Sequence, residues 1–338
     1  MQAEIGSEFW DVPVNEKSNQ RFLERTQWFL SGRCAMKAII QDLRGCHTVG
    51  MPSWCCESMI KPFADAGIEV RFYPVYWQNE VIQEISLECD ILFLMDYFGY
   101  TGKKPDLSNY SGVVIRDLTH SLFSGCYTDA DYYFGSLRKW CGVWSGGYAW
   151  TADGHALPME NASDSGYIRL REQAMRLKSA YIHGHADADG SMPDKRYLEV
   201  FEEAERSLEQ AGIAQAAERD VALARRLNTD FIRLRRRENA GVLMQALKEY
   251  LIFPDMKEED CPMFVPILVP DGKRDALRKH LIRNEIYCPV HWPVSEYQVL
   301  DSRTESLYRN ELSLVCDQRY TKDDMHRIIE AVKMFMEE

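Results

Sequence analysis

The sequence predicts an α/β fold: a mostly parallel sheet covered by helices on both faces, followed by a smaller α+β portion. Three observations carry this. Strand-like and helix-like segments alternate from about residue 33 to 150, the pattern of parallel strands joined by crossover helices. The run "CDILFLMDYFG" (Cys89–Gly99) is too short to cross a membrane and fits a strand buried on both faces. From about residue 261 shorter strands and helices follow one another in an α+β pattern.

The elements justify themselves in order. "CAMKAIIQDL" (Cys34–Leu43) has helical spacing and follows "SGR". "HTVGMP" (His47–Pro52) reads as a short strand, and "ESMIKPFADAG" (Glu57–Gly67) as a helix closed by a glycine. "EVRFYPV", "CDILFLMDYFG", "GVVIRD" and "DYYFGS" are strands, and "GGYAWT" (Gly146–Thr151) adds another after a glycine pair. From about 158 to 240 the pattern is helical and charged. Then come "FVPILVP" (strand), "KRDALRKHLIRNE" (helix), "IYCPVHWP" (strand), "ELSLVCD" (strand) and a terminal helix from Thr321.

The 338 residues are 46% apolar and carry a net charge of -12. That excludes a disordered chain and speaks against nucleic acid or an anionic membrane surface as the main partner, since both require clustered Lys and Arg. No apolar run reaches the roughly 20 residues of a membrane span. The N-terminus lacks the basic start and apolar middle of a signal peptide. The ten cysteines are scattered, as in a chain of reduced thiols, and the expected location is cytoplasmic.

In parallel sheets, ligands sit beyond the carboxyl ends of the strands. That edge collects Pro52–Cys56, Asp96–Gly99, Asp117–His120 and Ser136–Lys139. Lys139 ends an aromatic strand beside Arg138. Partial burial and a like charge lower a lysine's pKa, which Schiff-base chemistry needs; a surface lysine is the bland alternative. Asp117 closes a buried strand, either capping a turn or standing opposite the ring nitrogen of a pyridoxal cofactor. His120 would lie beside that ring or its phenolic oxygen, or be structural. "SGRCAM" (Ser31–Met36) opens a helix whose N–H groups suit a phosphate, and Ser136 offers a hydroxyl to the same group. No Gly-x-Gly-x-x-Gly follows the first strand, which disfavours a plain Rossmann-like nucleotide binder.

Taken in order, the helix N-terminus, Asp-x-x-His, Ser-x-x-Lys and Gly-Gly resemble the fold-type I pyridoxal-phosphate enzymes. Within them the chain looks most like the sugar aminotransferase-like DegT/DnrJ/EryC1/StrS family, over roughly residues 20 to 335. "SGRCAM" stands at that family's Ser-Gly-Thr-Ala-Ala-Leu-like loop and "MPSWCCESMIKPFADAG" at its Pro-Ser-x-Thr-Phe segment. "DYFGYTG" is similar to its His-x-Tyr-Gly strand end, and "RDLTH" to its Glu-Asp-x-x-Gln/His. "CPMFVPILVP…LRKHLIRNEIYCPVHWP" resembles its small domain. Two differences stand out. Ser136 lies three residues before the lysine, where the family has five, and no Asn-Tyr-Arg-Met stretch follows the lysine.

The resemblance implies an aspartate-aminotransferase-like fold with a seven-stranded sheet in a three-layer α/β/α large domain. It implies an N-terminal segment (1–25), a large cofactor domain (26–240) and a small α+β domain (241–338). Lys139 would form the internal aldimine with pyridoxal 5'-phosphate and shuttle a proton. Asp117 would pair with the pyridine nitrogen and His120 would lie near the ring oxygen. The backbone of Gly32, Arg33 and Cys34, with Ser136, would hold the phosphate. One of Trp54, Cys55 or Cys56 would cover the ring; Cys56 stands where the family has its aromatic, so Trp54 would take over the stacking. The implied reaction moves an amino group from an amino-acid donor to a carbonyl acceptor, by family default a keto sugar, in a homodimer. Alternatives are another pyridoxal reaction, such as elimination or decarboxylation, and a non-catalytic regulatory homologue. No metal is expected: "HGHADAD" (183–189) reads as a polar loop near the site's mouth, and "RLRRREN" (233–239) as a solvated helix face. The roles of His291 and Arg303 stay open.

Overall fold

The computed structural model describes residues 4–17, 25–103, 105–125, 128–160, 165–185 and 194–337. In chain order the elements are β1 (Ile5–Gly6), β2 (Gln27–Phe29), α1 (Gly32–Asp42), β3 (Thr48–Pro52), α2 (Glu57–Asp65), β4 (Glu69–Tyr73), β5 (Val75–Trp77), β6 (Val81–Gln83), β7 (Ile91–Met95), β8 (Val113–Asp117), β9 (Tyr132–Ser136) and β10 (Gly147–Thr151). They continue with α3 (Ser165–His183), α4 (Tyr197–Ser207), α5 (Glu218–Arg225), α6 (Thr229–Ala246), β11 (Phe264–Leu268), α7 (Arg274–Arg283), β12 (Ile286–Tyr287), α8 (Ser302–Asn310), β13 (Glu311–Val315) and α9 (Lys322–Glu337). The expected class is found: an α/β chain with a mostly parallel, seven-stranded central sheet and helices.

Two compact units divide the chain. The first comprises the described parts of Met1–Ser7, Arg44–Asp131 and Thr229–Glu338. Its share of the sheet runs β8-β7-β3-β4, all parallel. All five residues of β7, Ile-Leu-Phe-Leu-Met, are buried, which explains why this run is apolar without alternation. In register, Met95 of β7 faces Asp117 of β8, so both strands finish at one edge. Helix α2 stops where Gly67 takes a φ of +74°, a conformation that costs glycine little. Beyond the sheet, β11 and β13 form an antiparallel pair, and α6 and α7 pack on α9.

The second unit comprises the described parts of Glu8–Leu43 and Tyr132–Asn228. Its strands run β2-β10-β9, antiparallel, with α1 packed on β9 and β10. Gly147 passes so close to the start of α1 that a Cβ there would lie 2.0 Å from the Ser31 carbonyl oxygen. Helices α3 and α4 pair through a cluster built on Met175, Tyr197 and Phe201.

Several expectations shift. "IYCPVHWP" is a strand only at Ile286–Tyr287, because Pro289 and Pro293 lack the N–H that a ladder needs. Within the helical, charged stretch, the run 213–239 carries α5 and most of α6. Its "RLRRREN" end is not a solvated face. Arg236 is buried and donates to Gln318 Oε1 (2.8 Å) and the Met263 carbonyl (2.9 Å), and Arg237 donates to the carbonyls of Lys257 and Asp260. These guanidinium forks satisfy carbonyls of an irregular segment that has no ladder of its own. Of the 183–189 segment, residues 186–189 lie outside the described residues.

Candidate functional site

In the first unit the site residues gather at the carboxyl edge of β3, β7 and β8. Strand alternation sends Arg116 and Asp117 to opposite faces. Arg116 is buried and paired with Asp96 (3.0 Å) and Asp129 (2.7 Å). Asp117 is 1% exposed, and its Oδ1 accepts the Thr119 N–H at 2.7 Å. Burial pushes its carboxyl up to about 6, against the Thr119 hydrogen bonds and with help from the Asp96 charge. No cationic side chain of the described residues appears among these influences. A buried carboxyl without its cation suits a ligand that brings one, and a protonated ring nitrogen is such a group.

His120 is 3% exposed, with Nδ1 accepting from the Phe98 N–H at 3.4 Å. Its ring stacks on Trp292 (5.5 Å, 26°) and lies 5.5 Å from His291. Trp54, on the segment after β3, is fully buried and stacked on Tyr97 at 4.7 Å, which commits one indole face to the protein. Its Nε1 donates to the His291 carbonyl at 2.7 Å. Cys55 is buried, its thiol pushed well up by that burial. Cys56 is half-buried at the N-cap of α2, 3.1 Å from Ser58 Oγ.

Sequence reasoning missed Glu311, at the start of β13. It is fully buried and accepts the His291 N–H (2.7 Å) and the Ser313 hydroxyl (2.5 Å), while Ser313 Oγ lies 2.9 Å from His291 Nδ1. Burial pushes this carboxyl up to about 8. The available signal was an acid opening the apolar run "ELSLV". Arg303, by contrast, is an exposed brace paired with Glu84 and Asp301.

In the second unit, Ser31 caps α1: its Oγ accepts the Cys34 N–H at 3.2 Å. Gly32, Arg33 and Cys34 form the first turn; the Cys34 N–H is taken by Ser31, and the positive end of the helix dipole favours an anion here. A Cβ at Gly32 would lie in van der Waals contact with Ser136, at the end of β9. Lys139 is not the end of the strand but of a 3₁₀ turn, Leu137–Lys139, and it is exposed. The expected burial is therefore absent. The neighbouring Arg138 does not stand as an uncompensated like charge either, because it pairs with Glu205 and donates to the Tyr167 hydroxyl at 2.5 Å.

Around Lys139 the chain assembles a cluster that the sequence did not announce. Arg33 pairs with Glu205 (2.9 Å) and Arg171 with Glu8 (3.3 Å). Burial raises the Glu8 carboxyl, but Arg171, Arg138 and Lys139 outweigh it and hold it at about 2. Glu205 is lowered in the same way, its burial outweighed by Arg138 and Lys139. Among the described residues no group of three or more His, Cys, Asp or Glu is placed to hold a metal.

The comparisons bear on the fold. Neither a family model nor a curated protein sequence matches this chain. Solved structures do match, and the fold they define is that of the DegT/DnrJ/EryC1/StrS aminotransferases. An aminotransferase of that family from Brucella abortus is similar over 93% of this chain and 88% of its own, at 15% identity and a TM-score of 0.58. Helicobacter pylori PseC, an aminotransferase involved in the biosynthesis of pseudoaminic acid, covers 97% and 99% at 15% identity (TM-score 0.60). DesI, solved in the presence of its TDP-sugar product, covers 98% and 94% at 14% identity (TM-score 0.62).

Proposed function

We propose that this chain is a pyridoxal-phosphate-dependent aminotransferase, moving an amino group from an amino-acid donor to a carbonyl acceptor, with a keto sugar as the acceptor class. The observation that carries it is Asp117: a buried carboxyl at the end of a parallel strand, raised to about 6, with no cationic side chain of the described residues among the groups that shift it, on the fold of sugar aminotransferases. When bound, the cofactor supplies a carbonyl that takes up amines and a ring that withdraws electrons. The chain's residues do the rest. Asp117 would hold a proton on the ring nitrogen. Lys139 Nζ would hold the cofactor and carry a proton. His120 would be placed for the ring oxygen, and Trp54 or Cys56 for the ring face. The first turn of α1 (Gly32, Arg33, Cys34) and Ser136 would hold the phosphate.

The same reading takes residues 26–240 as the cofactor domain, 241–338 as the small domain, a two-fold homodimer as the assembly, and the cytoplasm as the location. Among the described residues no helix is long and apolar enough to cross a membrane.

Spectra test it. Protein loaded with pyridoxal phosphate is expected to be yellow, and glutamate or glutamine to bleach the band as the cofactor takes the amino group. A colourless protein refutes the reading; a coloured one that no amino acid bleaches refutes the aminotransferase part.

A further inference from the structure

Glu205 does something unusual for a surface helix residue: it bridges two arginines. One carboxylate oxygen meets Arg33, in the first turn of α1, and the other meets Arg138, beside Lys139. Both guanidiniums thus converge on one small anion, and one of them comes from the first turn of α1. The cluster is richer in cations than one carboxylate requires. Among the described residues Arg33, Arg138, Lys139 and Arg171 face Glu8 and Glu205, four cations to two carboxylates. A second observation points the same way. Arg138 is 9% exposed, and among the described residues its buried Nε has no hydrogen-bond partner, a donor left over in a site where such groups are normally satisfied. Meanwhile the Glu205 side chain is 40% exposed and that of Arg33 28%, so the carboxylate can swing into water and a ligand can reach the arginines.

We propose that Arg33 and Arg138 form a phosphate-binding fork at the start of α1, and that Glu205 is the built-in anion which a phosphate ester displaces. The inference rests on the cofactor reading above and names the group that holds the cofactor's phosphate. A phosphate monoester carries a charge of about -1.5 to -2 near neutral pH and three terminal oxygens. It therefore satisfies two guanidiniums at once and, in place of Glu205, neutralises more of the cluster's positive charge than a monoanionic carboxylate does. Glu205 keeps the fork ordered and sets a threshold: only an anion that binds better than a tethered carboxylate enters.

The test is equilibrium binding of pyridoxal phosphate and of pyridoxal, which lacks the phosphate, to wild-type protein and to Arg33→Gln, Arg138→Gln and Glu205→Gln. Circular dichroism confirms folding, and the two more exposed positions, Arg33 and Glu205, guard against a variant that fails to fold. Losing a charge-assisted contact is expected to weaken pyridoxal phosphate about 10- to 100-fold in Arg33→Gln and Arg138→Gln, with pyridoxal unchanged. Glu205→Gln should tighten pyridoxal phosphate several-fold, because the competitor is weakened. Inorganic phosphate should raise the melting temperature of wild-type protein and not that of Arg33→Gln. If both arginine variants affect pyridoxal phosphate and pyridoxal alike, or Glu205→Gln weakens binding, the fork is overturned and Glu205 is a structural brace. If wild-type protein binds neither compound, it is the cofactor reading that fails.

Discussion

In the first unit the buried carboxyls of Asp117 and Glu311 are pushed up, to about 6 and about 8; in the second, Glu8 is held at about 2 and Glu205 is lowered as well. All four feel the cost of leaving water, which raises a carboxyl's pKa. What separates them is company. Asp117 has Thr119 and another acid, Asp96, and Glu311 has Ser313, the His291 N–H and Arg274, which together do not offset its burial. Glu8 and Glu205 have arginines and Lys139. One unit thus presents an acid short of a cation, and the other presents cations short of an anion.

The largest effect that would break this contrast is expected at Lys139. Lys139→Ala should lose covalent cofactor attachment entirely and cut transamination by at least about 100-fold, the scale of a lost acid–base group, while the bleachable visible band disappears. Next comes the anion side. Gly147→Ala would drive a methyl into the Ser31 carbonyl, distorting the start of α1. A cost of about 2–4 kcal/mol in urea unfolding is expected, larger than the usual penalty of a surface change.

On the cation side the sign reverses. Asp117→Asn should stabilise cofactor-free protein by about 1–3 kcal/mol at pH 7, because it removes a buried charge whose folded pKa lies above its unfolded value, yet impair turnover. Stability gained where activity is lost marks a residue kept for its ligand.

The smallest effect is the pH dependence, and here the units should pull in opposite directions. Asp117 binds its proton more tightly folded than unfolded, so its contribution falls as pH rises from 3.8 to about 6. Glu311 acts likewise from 4.5 to about 8. Glu8, lowered to about 2, contributes stability above 4.5 that is lost as pH falls toward 2. Urea midpoints across pH for wild type, Glu311→Gln and Glu8→Gln would resolve the two slopes. If Glu311→Gln left the alkaline limb unchanged, its assignment would fail.

How far the sequence announced all this depends on the range of the interaction. The all-apolar β7 and the polar residues closing β8 were legible, because alternation and burial are local patterns. The three-residue strands β2, β5 and β6 were not, being too short for a period to show. Asp117 was identified as a buried strand end and is one. Lys139 was expected to be half-buried beside a bare Arg138. Its exposure follows from the turn at Leu137–Lys139, and the masking of Arg138 from Glu205, 67 residues further on. Glu311 was hidden for the same reason: Ser313 is its near neighbour, but the His291 N–H that completes its enclosure lies 20 residues back in the chain.

The central claim, that one cofactor is carried on Lys139, is tested most directly by reducing pyridoxal-phosphate-loaded protein with borohydride and mapping the label by peptide mass spectrometry. The account predicts a single phosphopyridoxyl group on the peptide containing Lys139. No label, or a label spread over other lysines with Lys139 unmodified, would contradict it.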